Sequence, residues 1–109
     1  MWKLEMFLFS FFKGLIPGPP ENLKKIKIQT HSVKISWEAP LIKGEGTITY
    51  IITEQQGLFN KLEQTQLEKD LTGLKPATSY TVKVLSTNSH GKNESAFRIL
   101  TFGTAEAGI

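Results

Sequence analysis

Apolar and polar residues alternate along most of this chain, most cleanly from Tyr80 onward. Tyr80, Val82 and Val84 fall on one side, and Thr81, Lys83 and Leu85 on the other. A period of two is that of a β-strand with one buried face. The same period sets Val33, Ile35 and Trp37 against Lys34, Ser36 and Glu38. It also sets Ile48, Tyr50 and Ile52 against Thr47, Thr49, Ile51 and Thr53. Residues 23–28 alternate less well, because Lys24, Lys25 and Lys27 interrupt them, as suits an edge strand. Shorter or weaker strands are expected at 58–64, at 65–71 with Leu67 and Leu71 apolar, and at 95–102. Turn-forming residues separate them at 29–32, 43–46 and 55–57, and a polar loop covers 88–94. No stretch shows a helical period. Seven short strands with this spacing predict an all-β sandwich whose core is Val33, Ile35, Trp37, Ile48, Tyr50, Ile52, Leu71, Leu74, Tyr80, Val82 and Val84.

The segment before Tyr80 adds a corner. In Gly73-Leu-Lys-Pro-Ala-Thr78, Pro76 lacks an N–H and biases Lys75 toward extended geometry. Tyr80 therefore enters the sheet directly from a corner, where its hydroxyl can reach back to main chain, as in the tyrosine corner of β-sandwiches. Leu74-x-Pro76-x-Thr78-x-Tyr80 resembles the corner motif of fibronectin type III domains. Pro20-Glu-Asn-Leu23 resembles the opening strand of that family, Trp37-Glu-Ala-Pro40 its W-x-x-P element, and Tyr50-x-Ile52 its third strand. Residues 88–95 resemble the loop before its last strand. The resemblance implies a seven-stranded immunoglobulin-like sandwich in which the seven expected strands are, in chain order, A, B, C, C′, E, F and G, with sheets A-B-E and C-C′-F-G. It makes Trp37, Pro40, Tyr50, Leu74, Pro76 and Tyr80 the structural hallmarks. Modules of this kind occur in receptor-type tyrosine phosphatase ectodomains, tenascins and similar modular cell-surface or matrix proteins.

The chain ends read differently from its middle. Residues 1–16 hold four of the seven phenylalanines, and Met6–Phe12 is apolar except for Ser10. That run is too short to span a bilayer. Two readings stand side by side: a signal-like leader behind Lys3, or an incidental leader outside the domain, able in either case to touch a membrane. Residues 17–21 read as a proline-rich linker, 22–105 as the fibronectin type III domain and 106–109 as the start of a second linker.

Composition narrows the function. The chain has 109 residues, 39% of them hydrophobic, which suits one ordinary domain. Its net charge of +3 comes from interspersed basic and acidic residues and carries no nucleic-acid signature. With no cysteine, a thiol nucleophile, a disulfide framework and a cysteine-ligated zinc site are excluded. His31 and His90 fall in turns, neither has a metal partner at ligand spacing, and Asp70 is the sole aspartate. The expectation is therefore no enzyme, no metal and no cofactor.

What remains is surface. Ile51 and Leu85 point outward on neighbouring strands C and F and are expected to form an exposed contact face. The F–G loop with His90, Lys92 and Asn93 is a second surface. Asn93-Glu-Ser95 is an N-glycosylation sequon in that expected loop. Where some family members carry Arg-Gly-Asp, this chain has His90-Gly-Lys92, so integrin binding does not carry over. Lys24, Lys25, Lys27 and Lys34 could form a face for heparin-like polyanions, opposed by Glu68 and Asp70 on the adjoining strand. Together with the resemblance, this reads as a non-catalytic interaction or adhesion module, extracellular or in the ectodomain of a plasma-membrane protein. Its partners would be other proteins, through loops or the C–F face, and neighbouring modules. The alternatives are a spacer without its own ligand and, more remotely, the polyanion binder.

Overall fold

The computed structural model describes residues 15–107. The expected alternation becomes seven strands: β1 (Glu21–Ile28), β2 (Val33–Glu38), β3 (Thr49–Glu54), β4 (Leu62–Gln64), β5 (Glu68–Leu71), β6 (Ser79–Asn88) and β7 (Gly91–Gly103). In order they correspond to A, B, C, C′, E, F and G. They form two sheets, β1-β2-β5 and β4-β3-β6-β7, and every pairing is antiparallel. Of the residues expected to leave the domain at its start, 1–14 lie outside the described part. Among the described residues, no helix is long and apolar enough to cross a membrane.

The inner faces meet on one apolar cluster. Val33, Ile35 and Trp37 from β2 face Tyr50 and Ile52 from β3 and Tyr80, Val82 and Val84 from β6; Leu71, Leu74 and Phe102 close its ends. Trp37 sits edge-on to Tyr50, with ring centroids 5.5 Å apart, a favoured aromatic geometry. Pro40 is fully buried where β2 leaves the sheet. At the corner, the Tyr80 hydroxyl accepts a hydrogen bond from the Lys75 N–H at 2.9 Å. Ala77 adopts a left-handed φ of 47° there, and its N–H donates to the Ala105 carbonyl at 3.0 Å.

Several expectations are corrected. The strand expected at 65–71 begins only at Glu68, because residues 65–67 form a bend, braced by the Gln64 side-chain amide donating to the Gln66 and Glu68 carbonyls at 3.1 and 2.7 Å, and Leu67 on that bend is exposed. The strand expected at 58–64 is three residues long. The loop expected at 88–94 shrinks to the two-residue turn Ser89-His90, since Asn88 pairs with Gly91. Residues 17–21 are not a free linker. Pro17 and Pro20 are fully buried, and the Gly18 N–H donates to the Ile42 carbonyl at 2.8 Å. The Arg98 guanidinium donates to the Pro20 carbonyl at 3.0 Å, and Glu21 already belongs to β1. Prolines forbid ladder bonding but not packing, so a proline-rich stretch can lie flat against a sandwich.

Candidate interaction surface

Two ends and two outer faces are open to solvent, and each is set by the strands beneath it. His31 lies in the β1–β2 turn, where its Nδ1–H donates to the Leu74 carbonyl at 2.9 Å. His90 lies in the β6–β7 turn, its Nε2 3.9 Å from Glu45 Oε1. The His31 turn adjoins the corner and the segment after β7, where the Ala105 N–H donates to the Gln29 carbonyl at 3.0 Å. The His90 turn adjoins the β2–β3 loop. The two histidines therefore stand at opposite ends of the sandwich, beyond the reach of one shared site. Among the described residues, no group of three metal-ligating side chains converges.

The end carrying His90 is tied together by Asn88. Its Nδ2 donates to the Leu15 carbonyl at 2.7 Å and to the Glu45 carbonyl at 2.9 Å, while its Oδ1 accepts from the His90 N–H at 2.9 Å. Two carbonyls on one side and an N–H on the other allow one orientation of the amide. Gly44 completes the junction: with φ 68°, it lets the Leu15 carbonyl occupy the space where a Cβ would stand. A side chain at 44 would push the N-terminal segment off the domain.

The outer face of the four-stranded sheet carries the expected contact pair, and there the expectation of exposure fails. Ile51 and Leu85 do face each other across β3 and β6, but they are only 6% and 7% exposed. Both lie on central strands. Glu63 flanks Ile51 on β4, and Phe97 flanks Leu85 on β7, so neighbours on both sides cover them. Exposure on this face has moved toward β7. Ile99 is 58% exposed and pairs with Lys83, whose ammonium stands 4.8 Å from the Phe97 ring centroid, within cation–π range. Thr53, Gln55, Thr81, Lys83 and Ile99 border an open hollow of about 260 Å³. The Thr81 and Thr101 hydroxyls join across the strands at 3.0 Å beside it.

Glu54, next to this hollow, is placed at an inward position by the alternation of β3. It is 7% exposed, and its two carboxylate oxygens accept from the Gln56 and Leu58 N–H groups at 2.8 and 2.9 Å. Its task is to hold the turn after β3. A Glu continuing an apolar period into Gln-Gln-Gly was the available sequence signal. Burial of Tyr50 pushes its phenol above the usual value of 10.0.

The lysine face divides. Lys34 stands between Glu68 and Asp70, at 3.7 and 3.9 Å. Lys25 is in register with inward-facing Ile35, while Lys24 and Lys27 pair with the outward positions Ser36 and Lys34. The sequon is also displaced from its expected loop. Asn93 is exposed and lies within β7, where four residues, 93–96, stand opposite the single residue Ser86.

Comparison with known proteins places this geometry. Bovine receptor-type tyrosine-protein phosphatase F is 36% identical over 81 residues, covering 68% of this chain and 4% of that protein. Rat netrin receptor DCC is 32% identical over 79 residues, covering 70% of this chain and 6% of its own length. The chain thus spans about 6% or less of these relatives. Among solved structures, the fibronectin type III domain of human fibronectin type III domain containing protein 3 superposes with a TM-score of 0.70 at 21% identity, over 83% of this chain and 87% of that one. The fibronectin type III domain model matches residues 18–101, from the buried proline segment to the last rungs of β7, and the chain belongs to that family.

Proposed function

We propose that the chain is a non-catalytic protein-interaction module of an extracellular or membrane-anchored multidomain protein. Its contact surface is the outer face of β3, β6 and β7 around Ile99 and Lys83. The observation that carries this reading is the hollow itself, where a large apolar side chain, Ile99, a cation held over an aromatic ring, Lys83, and two threonines, Thr53 and Thr81, border one recess. Apolar anchors with polar neighbours suit protein recognition. The relatives, a receptor-type phosphatase and a netrin receptor by name, support a cell-surface setting. Their other activities belong to the far larger remainder of those proteins. The β6–β7 turn, with His90 and Lys92, is the second surface.

A spacer role is favoured by a different observation. Asn88 fixes the entry of the chain to two loops, which would hold an upstream module at a set angle. The polyanion reading is weakened by the ion pairs of Lys34.

A binding screen against surface-displayed ectodomains, run with the native chain and with a Lys83→Glu, Ile99→Asp variant, tests the proposal. Loss of a captured partner by the folded variant supports the face. Unchanged capture refutes it.

A further inference from the structure

We propose that Asn93 carries an N-linked glycan whose first N-acetylglucosamine packs into the shallow apolar hollow beside it. This rests on the extracellular reading above. Three features of the structure converge on it.

The first is the attachment residue. Asn93-Glu-Ser95 is a complete sequon, and all three residues are exposed. They ride on the widest irregularity of the sheet, where residues 93–96 bow away from Ser86. A bulge of this kind frees its residues from the ladder. The Asn93 Oδ1 accepts from the Ser95 N–H at 3.0 Å. That bond orients the amide, and Nδ2, the atom to be modified, has no hydrogen-bond partner among the described residues.

The second is the hollow. Asn93 is part of its wall, together with Ile16, Pro17, Pro19, Ile42 and Ala96, and it encloses about 120 Å³. A group attached at Nδ2 starts at its rim. The acetamido group of the first sugar offers a methyl and a flat amide, a match for proline and isoleucine surface.

The third is what otherwise lies bare. Leu41 is 85% exposed and Ile42 55% exposed, side by side on the β2–β3 loop. Adjacent bare aliphatic residues are a liability on a secreted protein. A bulky, hydrated glycan at Asn93 would shield this patch while its apolar sugar face meets Ile42.

The chemistry requires an oligosaccharyltransferase and a lipid-pyrophosphate-linked oligosaccharide donor. The Asn93 amide nitrogen forms a bond to C1 of the donor sugar and loses one proton. The C1–O bond to the pyrophosphate breaks, and the lipid pyrophosphate leaves with that electron pair. No oxidant or reductant is consumed.

The test routes the full chain through the secretory pathway of cultured animal cells behind an added targeting signal, so that occupancy is read independently of where the native protein resides. Intact mass and peptide-N-glycosidase F digestion read occupancy. Full release of the glycan with conversion of Asn93 to Asp is expected. Asn93→Gln and Ser95→Ala should each abolish the modification, and if one is poorly secreted the other supplies the comparison. On the isotope-labelled glycoprotein, nuclear Overhauser contacts are expected between the acetamido methyl and the side chains of Ile42 and Ile16. Both should vanish with the glycan. A secreted chain with Asn93 unmodified overturns the proposal, as does an occupied site whose sugar gives no contact to either isoleucine. Neither result touches the β3–β6–β7 face, which is decided by the Lys83 and Ile99 variant.

Discussion

Asn88→Ala should destabilise the whole module, because one side chain holds three pieces of chain together. It donates to Leu15 and Glu45 and accepts from His90. Each such bond is worth roughly 0.5–1.5 kcal/mol net. The Leu15 bond is part-buried and belongs at the upper end. The Glu45 and His90 bonds are exposed, so water can replace them, and they belong at the lower end. The sum is about 2.5 kcal/mol. With a urea m-value of about 1–2 kcal/mol per molar, the unfolding midpoint should fall by roughly 1–2.5 M. Asn88→Asp is the sharper variant. It keeps the acceptor facing His90 but replaces the donor with a carboxylate oxygen aimed at two carbonyls, so it should cost at least as much as Ala. Urea unfolding followed by tryptophan fluorescence measures both. If Asn88→Asp unfolds with the native midpoint, the orientation of the amide is wrong and the N-terminal segment is not clamped.

Other variants probe the core and corner. Tyr80→Phe removes the acceptor of the Lys75 N–H and should cost about 1–2 kcal/mol; an unchanged urea midpoint would remove the corner bond from the account. Tyr50 has its pKa raised by burial. The unfolded chain therefore loses that proton at lower pH than the folded one, and stability should fall as pH rises above about 10. Tyr50→Phe should lose that share of the decline, and a parallel decline in both proteins contradicts the assignment. Ala77→Gly relieves a left-handed alanine at an exposed position and should stabilise by up to about 1 kcal/mol, since the strain slightly exceeds the entropy cost of glycine. A thermal midpoint lowered by that substitution would count against the corner geometry.

The sheets were readable in the sequence wherever one face is buried and the other wet. Val33, Ile35 and Trp37 alternate strictly with polar residues, and β2 runs over the residues that pattern marks. Legibility failed where a long-range partner decides. Leu67 has the apolarity of a strand residue but sits before β5, in a bend that the Gln64 side chain braces through the Gln66 and Glu68 carbonyls. Ile51 and Leu85 were readable as outward-facing neighbours. Their burial depends on Glu63 and Phe97, whose register period alone does not reveal. The same holds for residues 93–96: a bulge is a mismatch between two strands and has no signature in either one. Asn88 looks like an ordinary polar residue at a strand end, and Glu54 stands out only as a carboxylate on an apolar period. Their roles appear only once Leu15, Glu45, Gln56 and Leu58 are brought to them by the fold. The proline segment hid its role because burial of Pro17 and Pro20 against a distant loop and strand leaves no periodic trace.

The most direct measurement of the central claim is amide hydrogen exchange on the chain alone and with a partner captured from an ectodomain screen. Binding through the outer sheet face predicts new protection at Thr53, Gln55, Lys83, Ile99 and Thr101, with Lys24–Ile28 on β1 unchanged. Protection confined to β1 and the β1–β2 turn, with the Ile99 surface exchanging as in the free chain, would contradict it.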